Sequence, residues 1–293
     1  MEAIKTVNLT KYYGKSRGII DLNLSVEKGE CFGFIGPNGA GKSTTIRTLL
    51  GLISPTSGGA YIFEKDIAKE KESVLMDVGY LPSEAVFYSG MKVKDVLKLS
   101  ANMRKMNCTE EARKLCDRLQ LDQSRKVDEL SFGNRKKVAI VCALQSNPEL
   151  LILDEPTGGL DPLMQREFFD IIRERNQSGA TVFLSSHVLS EIQRNCNRAA
   201  IIREGKMIVC DNVDALAKTN AKRVTLQGSA ELNGLEGIRD RVDVDKTVSF
   251  LYSGDVNILL ERLLAGHITD LNISEPDLEE IFLHYYEKDG DRA

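Results

Sequence analysis

Gly36-Pro37-Asn38-Gly39-Ala40-Gly41-Lys42-Ser43, followed by Thr44 and Thr45, is the stretch whose reading decides the fold. It matches G-x-x-x-x-G-K-[ST] at every defined position. Ahead of it, Cys31-Phe32-Gly33-Phe34-Ile35 is a short apolar run of strand character. Behind it, Ile46, Leu49, Leu50 and Ile53 recur at i, i+3, i+4 and i+7, one face of a helix. A glycine loop between strand and helix aims backbone N–H groups and a helix N-terminus at an anion. The pattern predicts a nucleoside triphosphate site, with Gly36 to Thr44 around the phosphates. The Lys42 ammonium is expected on the β- and γ-phosphates and the Ser43 hydroxyl on Mg²⁺.

Upstream, Ile4, Val7 and Leu9 and then Ile19 to Val26 alternate as strands, with Tyr12 and Tyr13 in the stretch between them. Downstream, Gly58 to Phe63 reads as a turn and return strand, and Val78-Gly79-Tyr80-Leu81-Pro82 as a buried strand ending at proline. From residue 84 the pattern turns helical: Val93, Val96, Leu97 and Ser100 share a face, and Thr109 before Glu110-Glu111 is the expected cap of a helix through Leu115 and Leu119. Leu150-Leu151-Ile152-Leu153 is a continuous apolar strand, as in a parallel sheet covered on both faces. Helices through Met164, Phe168 and Ile172 and from Val188 to Cys196 alternate with strands at Thr181–Ser185 and Ala199–Ile202. Such alternation argues an α/β core. Beyond Val213, strands at Arg223–Leu226, Val242–Val244, Val248–Leu251 and His267–Ile273, a helix at Val256–Leu264 and a last helix at Asp277–Tyr286 describe a small α+β domain. The expected division is 1–215 and 216–293, with a helical subdomain at about 84–145.

The 293 residues suffice for one large domain or two smaller ones. Net charge is −4, but residues 1–214 carry 30 Lys/Arg against 28 Asp/Glu, and 215–293 carry 9 against 15. Neither part has a basic footprint, so no nucleic-acid partner is expected. The longest apolar run, Val138 to Leu144, is far short of a membrane span, and the N-terminus lacks a signal-peptide core. Six scattered cysteines without a C-x-x-C pair read as small apolar residues in a reducing compartment. A cytoplasmic location follows, with any membrane role supplied by a partner.

A second site lies at Leu150 to Glu155. Asp154, at the end of a buried strand, is placed to reach Mg²⁺, and Glu155 to accept a proton from an attacking water. Leu130-Ser131-Phe132-Gly133-Asn134 precedes a helix from Arg135, Gly158-Gly159-Leu160-Asp161-Pro162 follows Glu155, and His187 ends the next strand. In this order, over residues 3–213, the set resembles the nucleotide-binding subunits of ATP-binding cassette (ABC) transporters. Ser274-Glu275-Pro276-Asp277-Leu278 onward adds a weaker likeness to ATPase subunits of small bacterial exporters of the multidrug and antimicrobial-peptide type.

The resemblance implies an α/β P-loop ATPase core with a helical subdomain and a C-terminal α+β accessory domain. It implies ATP and Mg²⁺ as ligands, Tyr13 (or Tyr12) stacked on adenine, and His187 on the γ-phosphate. Ser131, Phe132, Gly133 and Asn134 match the signature that closes over the opposite subunit's ATP, and Asp161 the loop that crosses the dimer interface. It also implies a homodimer formed on ATP binding, and integral membrane subunits that hold the chain at the inner face of the membrane and choose the substrate. A physical argument supports the dimer. Two helix starts can each serve a phosphate, yet the helical insertion lies between Lys42 and Ser131, so two chains head to tail meet both sites more easily than one.

Four positions depart from the family pattern. Phe132 and Asn134 replace a glycine and a glutamine of the signature, and Gly158 replaces a serine. Ser83 stands where a metal-contacting glutamine is usual, with Glu84 next to it as the other possible ligand. Residues 84–91 carry apolar side chains that either pack the insertion on the core or receive a helix of the membrane subunit. The leading reading is the ATPase subunit of an exporter. The alternative is a non-transport ABC ATPase acting on ribosome or DNA, against which stand the single cassette and the absence of a heptad run.

Overall fold

Phe32 and Phe34 alternate along β4 (Cys31–Ile35), and both meet Phe183 of β9 (Thr181–Ser186), with ring centroids 6.0 and 5.3 Å apart. These rings centre the computed structural model, which describes residues 1–217, 221–274 and 276. Around β4 and β9 runs a six-stranded sheet in the order β11-β10-β4-β9-β8-β7, with β7 at Val78–Leu81, β8 at Leu150–Asp154, β10 at Arg198–Arg203 and β11 at Lys206–Asn212. All pairings are parallel except the edge pair β10–β11. Strands β4, β8 and β9 are buried at every position, which is why they read as unbroken apolar runs. Parallel register brings their carboxyl ends together: Ile35 lies opposite Ser186, and Asp154 opposite Ser185. Ligand sites of such sheets form beyond those ends.

A second, antiparallel sheet holds β1 (Glu2–Tyr13), β2 (Ser16–Leu22), β5 (Ser57–Ile62) and β6 (Lys65–Asp66), with β3 (Ser25–Glu27) paired to β1. The first strand runs four residues past the expected Leu9. It survives a register shift beyond Val7, where Asn8 takes a left-handed φ of 46° and the chain resumes pairing at Thr10. Helix α1 (Lys42–Leu49) leaves the glycine loop, and a short α2 (Lys71–Met76) precedes β7.

The insertion between β7 and β8 contains α3 (Val93–Met103), α4 (Thr109–Arg118) and α5 (Phe132–Leu144). Thr109 is not the cap of α4. Cys108 holds that position without a side-chain bond, and the Thr109 hydroxyl donates instead to Asn107 Oδ1 at 2.8 Å. Asn107 Oδ1 also accepts the Thr109 N–H at 3.2 Å, so the asparagine supplies the acceptor expected of the threonine. Helix α6 (Pro162–Gln177) follows β8, and α7 (Leu189–Asn195) follows β9.

Contacts divide the chain into Met1–Val213 and Asp214–Ala293. The second unit holds a four-stranded antiparallel sheet in the order β13 (Ile238–Val244), β14 (Thr247–Tyr252), β12 (Lys222–Ser229) and β15 (His267–Ser274). Its core gathers Val224, Leu226, Phe250 and Tyr252 from the sheet and Leu259 and Leu263 from α9 (Val256–Leu264). The Asp255 carboxylate starts that helix by accepting the Asn257 N–H at 2.8 Å. The short α8 (Val213–Ala217) comes between the cassette strands and this sheet in sequence. The last expected helix, 277–286, lies outside the described residues.

Candidate active site

The loop from Gly36 to Gly41 joins β4 to α1, and Gly41 is the residue before the helix. Its φ of 111° is unfavourable to a side chain, and an added Cβ would lie 2.9 Å from the Gly18 carbonyl oxygen. Lys42 is only 5% exposed. Its ammonium donates to the carbonyls of Gly36 at 2.6 Å and Pro37 at 3.3 Å, inside the curl of its own loop. Its remaining partner comes from another strand: Glu155 Oε1, 3.1 Å away.

Glu155 follows β8, and its second oxygen lies 3.4 Å from His187 Nδ1, just past the end of β9. Burial would raise the Glu155 carboxyl, but the hydrogen-bonded Lys42 ammonium and the neighbouring His187 hold it below the usual carboxylate range. The backbone of Glu155 is strained, with a φ of 44°. Three contacts fix it there. Its N–H donates to the Ser185 carbonyl at 3.2 Å and to the Ser185 hydroxyl at 3.3 Å, and its own carbonyl accepts from Lys136 Nζ at 3.1 Å. Asp154, 1% exposed, accepts the Ser185 hydroxyl at 2.7 Å. Beneath His187, the Glu191 carboxylate accepts from the hydroxyls of Thr157 at 2.6 Å and Ser186 at 2.7 Å, tying the turn after β8 to the end of β9. One buried carboxylate, one reachable carboxylate, a cation and an imidazole thus meet at the strand ends, the set needed to bind a polyphosphate and activate a water.

Comparison with known proteins agrees. The family model described as ABC transporter matches residues 19–158. The bacitracin transport ATP-binding protein BcrA of Bacillus licheniformis is 38% identical over 82% of this chain and 80% of its own length. The linearmycin resistance ATP-binding protein LnrL of Bacillus subtilis is 32% identical over 96% of this chain and 97% of its own.

The chain belongs to the ATP-binding subunits of ABC transporters.

A solved ATP-binding subunit of an ABC transporter superposes with a TM-score of 0.69 at 30% identity, covering 74% of this chain and 92% of that one. This chain is therefore an ATPase built on the ABC cassette fold.

The other predicted residues of the cassette fall in three places. Tyr13, exposed at the end of β1, has its ring beside Gly18 and near the Thr44 methyl: the position of an added Gly18 Cβ is 3.2 Å from the ring and 2.9 Å from that methyl. Lys11 Nζ stands 5.4 Å from the ring centroid. Tyr12 is tied elsewhere, its N–H donating to Thr56 Oγ1 at 2.9 Å. Ser131 is the N-cap of α5 and accepts the Asn134 N–H at 3.3 Å. Phe132 lays its ring on Gly159, where an added Cβ would be 2.2 Å away, and a Gly133 Cβ would be 2.4 Å from the Gly159 carbonyl oxygen. Phe132, which departs from the family pattern, thus packs on Gly159, the residue after the departing Gly158. Asp161 caps α6, accepting the N–H groups of Leu163 at 3.1 Å and Met164 at 3.0 Å. None of Ser131, Phe132, Gly133, Asn134 and Asp161 is hydrogen-bonded to Lys42, Glu155 or His187. Ser83 follows β7, and its carbonyl accepts from Lys136 at 2.9 Å; Glu84 beside it is exposed.

Lys136, Ser185 and Glu191 are the residues that reading the sequence missed. Lys136 left a signal: it shares the stripe of Ile140, Ala143 and Leu144, so a basic residue occupies the apolar face of α5. Ser185 and Glu191 left none, since their value comes from register with Asp154 and from contact with Thr157.

The donor set fits a phosphate-borne Mg²⁺. No cluster of three or more His, Cys, Asp or Glu able to hold a metal occurs among the described residues. One serine hydroxyl and one buried, serine-oriented carboxylate instead suit an ion that keeps waters and takes phosphate oxygens.

Proposed function

We propose that this ATPase powers a separate membrane subunit in export, two chains closing head to tail over two ATP. The observation that supports it most is the joining of Lys42, Glu155 and His187 within 3.4 Å at the ends of β4, β8 and β9. The relatives named for bacitracin transport and linearmycin resistance favour export. Among the described residues no helix is long and apolar enough to cross a membrane, in keeping with a membrane subunit encoded apart. On this reading the chain lies in the cytoplasm, at the inner face of the membrane through that subunit, and nucleic acid is not a partner.

In the proposed reaction the backbone of Gly36 to Thr44 binds the phosphates and Tyr13 supports the base. Ser43 and Asp154 would hold Mg²⁺, with Ser83 reaching it only through water because its side chain is short. An ion held there would supply positive charge to counter that of the phosphates. Glu155 accepts a proton from water as its oxygen bonds to the γ-phosphorus; the bond to the bridging oxygen breaks, and ADP keeps its electron pair. His187 orients the γ-phosphate, and Lys42 counters its charge. Ser131 to Asn134 and Asp161 serve the opposite chain's nucleotide across the interface. Replacing Glu155 by glutamine should abolish turnover while ATP still binds. Wild-type hydrolysis by that variant would refute the assignment.

A further inference from the structure

Lys136 is 1% exposed, on α5 two residues beyond the Ser131–Asn134 segment. Its ammonium donates all three hydrogens to backbone carbonyls: Pro82 at 2.9 Å, Ser83 at 2.9 Å and Glu155 at 3.1 Å. Among the described residues no carboxylate pairs with it. Burial pushes the amine down to about 8 against the pull of Asp154 and Glu155, so folding places a cation here at a cost in desolvation. Three contacts of one amine to two segments far apart in sequence, the Pro82–Ser83 loop and the Glu155 peptide, do not arise from helix packing alone. One of them ends on the carbonyl of a residue in strained backbone, Glu155 with φ 44°.

We infer that Lys136 is a positioning residue for ATP hydrolysis, joining the Ser131–Asn134 segment to the Glu155 peptide and the Ser83 loop of the same chain. The inference rests on the reading of Glu155 and Ser131–Asn134 given above. A helix is stiff along its axis, so displacement of the start of α5 moves Nζ, and Nζ holds the peptide that sets where the Glu155 carboxylate points. In a head-to-tail pair, the segment meeting one nucleotide is thereby tied to the base serving the other. Ser83 gains a role suited to its short side chain: its carbonyl, held by Lys136, fixes the loop.

The test uses the full chain with ATP and Mg²⁺. Lys136→Met keeps length and removes every donor; Lys136→Gln keeps two. Pro82, Ser83 and Glu155 are half-buried, so water can reach the freed carbonyls and both variants should fold. The expected result is a kcat lowered roughly tenfold to a hundredfold in Lys136→Met, partly restored in Lys136→Gln, with KM for ATP unchanged. A Lys136→Met variant with wild-type kcat overturns the inference. So does a loss in which kcat and KM change together with the melting temperature, since that is the mark of a structural role only. A second readout is independent of turnover. Glu155→Gln and the double variant Glu155→Gln, Lys136→Met are titrated with ATP, and dimer formation is followed by size exclusion. A half-point several times higher in the double variant supports the link, and coincident curves refute it. If Glu155→Gln alone keeps wild-type turnover, the reading of Glu155 fails instead, and the two failures are thus distinguishable.

Discussion

Lys42 Nζ and Glu155 Oε1 are 3.1 Å apart, so the cation of the phosphate loop and the carboxylate that follows β8 are partners within one chain. Any phosphate that engages Lys42 shares it with this carboxylate. The proposed base is thereby held beside the γ-phosphate position by the group that binds the phosphate.

Removing the charge of Glu155 should therefore do more than stop turnover. In Glu155→Gln the competition for Lys42 weakens, and ATP affinity should rise roughly threefold to fivefold, the worth of one weak ion pair. Equilibrium binding of ATP to the wild-type and variant chains measures it. Equal or weaker binding in the variant would show that the contact does not compete.

Glu155 also bears on pH. Its carboxyl is held below the ordinary value of 4.5 by the Lys42 ammonium and His187. A group whose folded value is lowered adds stability that is complete above its unfolded value and is lost as pH falls through the folded one. Its contribution is thus full at pH 5 and above and disappears only below 4.5. The rate profile of the wild-type enzyme should show no inflection from this carboxylate between pH 5 and 7, and acid unfolding of Glu155→Gln should begin less steeply.

Ser185 orients Asp154 through a 2.7 Å bond and accepts the Glu155 N–H at its carbonyl. Ser185→Ala removes the first contact, with the weaker 3.3 Å bond from the Glu155 N–H to the same hydroxyl, and spares the bond to the carbonyl. Apparent Mg²⁺ affinity in the ATPase assay should fall roughly tenfold to a hundredfold, as for other groups that orient a metal ligand, while ATP binding without Mg²⁺ stays unchanged.

Gly159 lies beneath the Phe132 ring with a φ of 81°. Gly159→Ala meets both the ring and an unfavourable backbone and should destabilise the fold by about 1–3 kcal/mol in denaturant unfolding. Adding Phe132→Ala should recover the steric part, leaving about 1 kcal/mol of backbone cost. Equal unfolding of the single and double variants would mean that the ring is not what fills that space.

The elements that carry chemistry were legible because they are local. A glycine loop between an apolar strand and a periodic helix, and acidic residues closing a continuous apolar run, announce themselves over ten or so residues. Helix α2 and the continuation of β1 through Asn8 were not, since the first is six residues long and the second depends on a bulge against β5. The largest gap was Lys136. In the run Arg135-Lys136-Lys137 it looks like one more solvated charge, and only packing of α5 on β7 and the end of β8 makes it a buried clamp. Thr109 failed for a related reason: either of two neighbouring polar side chains could cap α4, and Asn107 takes the bond.

The central claim is that the phosphate loop of one chain is completed by Ser131 to Asn134 of another. Light scattering of Glu155→Gln with ATP and Mg²⁺ tests it most directly, run beside the same variant carrying Ser131→Arg. A dimer holding two ATP is expected for the first, and for the second a monomer that still binds one. A Glu155→Gln chain that stays monomeric with ATP bound, or a Ser131→Arg chain that dimerises as readily, would contradict it.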